Sequence, residues 1–512
     1  VNKDKIAWLT GIIIVPIIIY CYFLKWKTGT IYGDDLIIYT DYLRTNTWAD
    51  KYHFFLSANK FRPVQNMLFF LTVTIFQKNL FAYYIFNVLV QALNTLLLAR
   101  VVNLFLKSIL LSVFVSLLLG LSRFELYNVT QIFNGGALEG IAMTFFLCSL
   151  YHIVVALITP EQRDNQTKNS VLAAILFANL AIYAHERYIA LFPFIGALAL
   201  VAPSLKALTK KQRLALCGLS ILSVIANIAV KKYLLDMPFL VGTGGTNLDF
   251  SLLRSFYFFR DGVFSIVQIN SQPDYLTGTP FEFLIASRKA VATIAALCSL
   301  IVLMTCVVNA VRDRRKTELQ LIVFLVILFG LLLGCSIFTI RLEQRWLQAP
   351  FAVFVLLLAM AFSSFKLRWP GTVVSITFIC FFLWSDARYL SVGAEHIYLV
   401  SAEKTAGKFR HAMQNNTIKQ TTSNLYVFEK TRNQNTEDEI SWITGGGDIF
   451  EYYESKIKSI RYIDSANQRL QSPTDTTLRK FNPRTDQLIC IKDSIIDITN
   501  EFLKDSLRNF ND

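Results

Sequence analysis

The chain has 512 residues, with 50 Lys and Arg against 36 Asp and Glu, a formal charge of +14, 54% hydrophobic residues and only 17% charged ones. A soluble domain carries about 25% charged residues, and the shortfall here excludes a soluble enzyme. From Glu395 onward there are 16 Lys/Arg against 17 Asp/Glu, so the positive surplus sits in the apolar part, where cations orient loops and meet lipid phosphates rather than nucleic acid.

Apolar runs long enough to cross roughly 30 Å of hydrocarbon recur from Ile6 to about Leu390. The expected spans are 6–24, 81–103, 107–122, 138–158, 171–185, 188–203, 213–231, 290–311, 319–339, 348–365 and 372–390, eleven in all. The first follows Lys3 and Lys5 as a signal peptide would, but it lacks a small-residue cleavage site and is read as an uncleaved helix. Seven of the eight cysteines lie in apolar segments and Cys490 in the tail; no pair has metal or redox spacing, so they read as small buried hydrophobes.

Segment 64–77 is apolar but short, either a twelfth crossing or a helix lying in the interface. Lysine and arginine placement discriminates. If 64–77 does not cross, Arg100 and Lys107, then Lys206, Lys210, Lys211 and Arg213, then Arg312, Arg314, Arg315 and Lys316, then Lys366 and Arg368 all face the cytoplasm. If it crosses, every one of them flips outward, so the interfacial reading is preferred. Residues 25–80, the loop 232–289 and the tail from 392 then share the outer face, together with Lys25, Lys27, Lys231, Lys232, Arg288 and Lys289. Those outer cations are either random exceptions or serve a negatively charged ligand.

The expected organisation is a membrane part, 1–391, with two outer loops at 25–80 and 232–289, followed by a soluble tail, 392–512. Strand-like runs at 424–430, 458–464 and 487–493 alternate with helix-like DIFEYYESKI, and GGG at 445–447 and SP at 472–473 supply turns. This predicts a small α/β domain. ITGGGD lacks the spacing of a nucleotide-binding loop.

Chemistry-bearing residues concentrate at span ends. Asp34 and Asp35 in YGDDLIIY can share a raised pKa and act as a general base, or simply cap the segment that follows. Arg62 in KFRPVQN can clamp a carboxylate or phosphate, although Arg-Pro at a helix start is common. Glu139 opens an apolar helix after Gly135-Gly136, a functional position or only one favourable to the helix dipole. His185, Glu186 and Arg187 interrupt an apolar run from Val171 to Val201, which is costly unless they face water or a ligand. Arg341 and Arg345 flank Glu343; if helical, the two arginines share a face and can grip a phosphate, the bland alternative being an interfacial anchor with Trp346.

Taken in order, YGDDLIIY, FRPVQNMLFF, NGGALEGIAMTFFLCSLY and AHERYIALFPF resemble the GT-C superfamily of membrane glycosyltransferases, most nearly its protein O-mannosyltransferase-like branch, over residues 1–205. His185 stands where that branch has Lys, and Gly136-Ala137-Leu138-Glu139 replaces a Gly-Arg-Ala-Asp pattern. The resemblance implies a polytopic α-helical GT-C-like fold in a bacterial inner membrane, with active site and tail on the outer face. It also implies inverting transfer of a sugar from a polyprenyl-phosphate donor to a glycan, lipid-linked or protein acceptor. In that reaction Asp34 or Asp35 deprotonates the acceptor hydroxyl, Glu139, His185 and Glu186 with Arg187 shape the donor pocket, and Arg62, Arg341 and Arg345 beside Glu343 bind the phosphate.

Two other readings stand beside it. A transporter or flippase of lipid-linked sugars typically shows internal repeats and charges at mid-membrane, which this sequence does not show. An O-antigen-type polymerase or ligase also uses outer-loop arginines but does not call for an acidic pair after the first helix. No cofactor is expected: Asp34, Asp35 and His185 could ligate a divalent metal, but no ligand spacing favours one. Partners expected are the donor, the acceptor and membrane lipids.

Overall fold

A computed structural model describes all residues except 1–2, 26–28, 45–46, 48, 51–60, 107, 134, 159–163, 203–204, 206–207, 237–250, 268–282, 339–340, 365–368, 393–397, 430–435, 463–480, 483, 492–493 and 501–512. Lys27, Lys107, Lys206, Lys366, Arg368, the Ser-Pro turn at 472–473 and much of the loop 232–289 therefore lie outside the described residues. The chain divides into two compact units, 1–27 with 55–397 and 28–54 with 398–512. Residues 28–54, expected to be a loop of the membrane part, instead join the tail in the second unit.

Among the described residues, seven helices of the first unit are long and apolar enough to cross a membrane: Leu80–Val102, Leu138–Ile158, Gln166–Ala184, Lys210–Leu234, Ala286–Arg312, Lys316–Ile337 and Gln344–Ser364. Ile109–Gly120 and Arg123–Thr130 make an eighth if that pair, bent by 46°, is one span. These match eight of the eleven expected spans. The other three fall on shorter apolar stretches: Trp8–Tyr22 and Thr372–Ala387, which lie within the helices Lys3–Lys25 and Trp369–Val392, and the 11-residue helix Leu191–Val201. At 1.5 Å per residue, 11 residues extend only about 16 Å, half of a hydrocarbon core. The turn at His185–Ala190 uses up chain that the sequence pattern had assigned to the next span. Pro63–Phe76 is a 14-residue apolar helix, again shorter than a span.

The bundle is built around Gln348–Ser364, in which every residue from Gln348 to Phe362 is buried. Phe351 packs on Phe124 at 4.8 Å, and Phe354 stacks on Phe382 at 6.1 Å. Peripheral helices are inverted by comparison: on Ala286–Arg312, Val291, Ile294, Leu297, Leu300, Ile301 and Val308 are exposed. An apolar face of that length suits lipid and not water. Helix starts follow ordinary chemistry, as where Thr209 and Gln212 form a reciprocal capping box.

Glycines permit the tightest approach. A Cβ on Gly135 would lie 2.5 Å from the Asn128 carbonyl oxygen, and one on Gly136 would lie 2.0 Å from Asn87 Oδ1. The Gly-Gly turn thus lets the segment carrying Glu139 press against Leu80–Val102 and Leu126–Thr130.

The second unit holds a four-stranded sheet in the order β2-β1-β3-β4, with β1 Asn424–Glu429, β2 Ser459–Tyr462, β3 Asp486–Ile491 and β4 Ile495–Asp497. β1 is parallel to β2 and β3, starting Asn424↔Ser459 and Asn424↔Asp486, and β4 returns antiparallel. The three strand-like runs of the sequence become β1, β2 and β3; the three-residue β4 was too short to stand out. DIFEYYESKI is helical only over Asp448–Tyr452, since Glu454 adopts φ 61°. Helices Tyr398–Gln414 and Thr436–Ile443 complete the α/β arrangement, and Gly33–Arg44 joins them.

Gly33 meets two demands at once: φ is 59°, and a Cβ would stand 2.3 Å from Trp442 Cζ2. Gly33→Ala is expected to destabilise the second unit by at least about 1–3 kcal/mol, the usual cost of a strained backbone alone. Limited proteolysis should then cut this unit faster than in wild type; unchanged protection would contradict the packing described.

Candidate functional site

In the first unit, eight of the ten sequence-selected residues meet in one ionic chain, drawn from four parts of the sequence. Arg62 precedes Pro63–Phe76, where Pro63 fixes the helix start. It donates from Nε and Nη2 to both carboxylate oxygens of Glu186, at 2.5 and 2.7 Å. Its Nη2 also lies 3.4 Å from His185 Nε2.

Glu139 lies in a π-helical turn, Gly135–Gly140, and is 1% exposed. Three cationic or imidazole side chains enclose it: Arg187 at 3.4 Å, His185 Nε2 at 3.4 Å and Arg345 Nε at 3.9 Å. The favourable-dipole reading of Glu139 is thus too small. A buried carboxylate is tolerated here because cations surround it. π-turns within helices often mark functional positions.

His185, Glu186 and Arg187 form the tight turn between Gln166–Ala184 and Leu191–Val201. The Arg187 backbone N–H donates to His185 Nδ1 at 3.2 Å, and Nε2 lies 3.2 Å from Arg187 Nη2 and 3.4 Å from Glu139. Burial is the main force on this imidazole and lowers its pKa to about 4, opposed by Glu139 and reinforced by Arg187. Burial likewise lowers the pKa of the Arg187 guanidinium, while Glu139 opposes the shift.

The sign of the histidine effect is fixed by linkage. The unfolded chain takes up a proton near the ordinary pKa of about 6.5 that the folded chain refuses until about 4. This contribution is therefore complete above pH 6.5 and is lost as pH falls toward 4. Thermal unfolding in detergent should show His185→Gln with a shallower loss of midpoint than wild type across that window; parallel curves would contradict a neutral buried histidine.

Arg341 and Arg345 do not lie in one helix, the condition for sharing a face. Arg341 lies in a bend and Arg345 in the 3-10 turn Gln344–Leu347, and they are joined by Glu343 between them. Glu343 is 0% exposed and accepts from Arg341 Nε at 2.8 Å and Arg345 Nε at 2.5 Å. Nor is Trp346 an interfacial anchor: it is buried, and its ring lies 5.1 Å from the Arg187 guanidinium. Tyr127 supports Arg345 in the same way at 4.1 Å.

Among the described residues of this ionic chain, four guanidiniums meet three carboxylates. Lys231 is buried at the end of Lys210–Leu234. The buried carboxylates hold the arginines in fixed orientations, and a planar fork held in place suits a phosphate.

Asp34 and Asp35 belong to the second unit, in the first turn of Gly33–Arg44, where acidic residues favour the helix dipole. They differ sharply. Asp34 accepts from Trp442 Nε1 at 2.8 Å, at the surface, whereas Asp35 is 2% exposed and so is not part of a solvated turn.

Sequence reading missed a second buried polar layer. Arg123 Nε bonds Asp386 at 3.0 Å, both nearly inaccessible, and Asn128 donates to Glu125 at 2.5 Å and to Gln348 at 2.7 Å. Gln348 Nε2 reaches the Glu139 carbonyl at 3.5 Å. Short polar interruptions such as SRFELYN were its only signal. Among the described residues no group of three His, Cys, Asp or Glu side chains is placed to hold a metal ion. In comparisons with known proteins, no family model and no curated protein matches this chain.

Proposed function

We propose that this chain is an integral membrane glycosyltransferase that moves a sugar from a polyprenyl-phosphate donor to a hydroxyl of a glycan, lipid-linked glycan or protein acceptor. The observation that carries the proposal is the ionic chain linking Arg62, Glu186, His185, Glu139, Arg187, Arg345, Glu343 and Arg341 at the ends of apolar helices. A lipid phosphate head lies at such a depth, and its departure needs fixed cations. Apolar runs and lysine and arginine placement support eleven crossings, 64–77 in the interface and the tail on the outer side; the motif resemblance adds a bacterial plasma membrane and an outward active face.

In the reaction the acceptor oxygen attacks the anomeric carbon as the carbon–oxygen bond to the phosphate breaks. The motif resemblance implies that configuration inverts, that Asp34 or Asp35 is the base that takes the acceptor proton, and that the arginines take the lipid phosphate. His185, neutral and fixed by the Arg187 amide, positions Glu139 rather than adding charge.

The test is sugar release by purified full-length protein from a panel of polyprenyl-phosphate sugars with candidate acceptors. Turnover of one donor is expected, abolished by Asp34→Asn or Asp35→Asn while donor binding persists. Turnover insensitive to both substitutions would remove the base assignment. Donor movement across vesicles without sugar release would overturn the transferase in favour of a flippase.

A further inference from the structure

The second unit contains a cleft of about 570 Å³ that the ionic chain does not involve, lined by Ile37, Asp41, Arg44, Trp442, Gly446 and Asp448 among others. Its volume is within the range of about 300–1,000 Å³ usual for small-molecule sites.

Three features define its chemistry. Trp442 is the aromatic wall, and its position is over-determined: Gly33 packs against the ring, Tyr32 meets it edge-on at 6.0 Å, and its indole N–H is held by Asp34. Opposite charges in the cleft are already paired with each other. Arg44 donates to Asp448 at 2.6 Å, Asp41 at 3.1 Å and Glu451 at 2.5 Å, and Thr40 donates to Asp448 at 2.9 Å. Gly445, Gly446 and Gly447 all have positive φ, and the space where a Gly446 side chain would begin holds nothing within 4 Å.

Fixed carboxylates and a fixed guanidinium offer directed hydrogen bonds without an unbalanced cation to draw phosphate. On the lining Asp41 and Asp448 outnumber Arg44, and Glu451 pairs with Arg44 from outside it, so the cleft disfavours anions. An indole face favours the C–H surface of a pyranose ring, and the exposed glycine backbone leaves room for a ring to approach. An apolar metabolite would find no such polar rim, and a nucleotide would meet the wrong charge.

We infer that this cleft binds one neutral hexopyranose unit of a glycan, with Trp442 as the stacking platform and Asp41, Arg44 and Asp448 as hydroxyl partners. That this unit belongs to the acceptor rests on the transferase reading; the binding of sugar does not.

The experiment is saturation-transfer NMR on full-length protein in nanodiscs, without donor, using neutral gluco- and manno-configured disaccharides with glucose 6-phosphate as the charged comparator. Expected is saturable binding of a neutral disaccharide, weaker by about tenfold or more in Trp442→Ala and largely kept in Trp442→Phe, with no binding of the phosphate. Asp41→Ala, a change at the rim, should also weaken it and guards against misfolding of the Trp442→Ala variant. Absence of neutral-sugar binding, binding equal in wild type, Trp442→Ala and Asp41→Ala, or preference for the phosphate would each overturn the assignment. Because donor turnover is measured separately, loss of this site leaves the transferase proposal standing, and failure of turnover leaves this site standing.

Discussion

Glu343→Ala is expected to be the most damaging single substitution in the first unit, lowering stability by about 3–5 kcal/mol. Glu343 is fully buried and accepts from Arg341 and Arg345 together. Removing it takes away the carboxylate that both arginines share. Breaking such a buried pair from one side costs more than the net worth of the pair itself. Glu343→Gln, which keeps an acceptor oxygen, should fall between the two. Unfolding in detergent measures this; an alanine variant within about 1 kcal/mol of wild type would mean that these arginines are solvated and the cluster is an ordinary surface network.

Arg345→Ala should have the largest catalytic effect, lowering kcat by about a hundredfold to a thousandfold with a smaller change in KM. Arg345 is held between Glu343, Glu139 and the Tyr127 ring, so its guanidinium is fixed before any ligand arrives. In the proposed transfer, such preorganised charge acts most on the leaving phosphate, where negative charge grows during bond cleavage. Arg345→Lys should rescue little, because a point charge cannot reproduce the fork. A rise in KM with kcat unchanged would assign Arg345 to donor binding only.

Most of this architecture was legible, for identifiable reasons. Long apolar helices such as Leu80–Val102 and Lys316–Ile337 announce themselves by composition. Leu191–Val201 does not, because an apolar half-length helix following a tight turn looks like the start of a full span. β1, β2 and β3 were visible as short alternating or apolar runs, but nothing in the sequence indicated that residues 28–54 fold with them. Such an association depends on contacts between segments more than 350 residues apart, such as Arg44 with Asp448.

The candidate site was readable one residue at a time because ionisable side chains at the ends of apolar stretches are conspicuous. How they pair was not. Arg341 and Arg345 looked like a helical pair and are instead bridged by Glu343. Arg123 and Asp386, each a lone charge in the sequence, become a pair only through packing.

The central claim, that the arginine chain seats a lipid phosphate, is tested most directly by binding of sugar-free polyprenyl monophosphate to the purified chain, followed by native mass spectrometry in detergent. Wild type is expected to retain the lipid phosphate in preference to the uncharged polyprenol, and Arg62→Ala and Arg345→Ala to lose that preference. Equal retention of the two lipids by wild type, or a preference untouched by both substitutions, would contradict it.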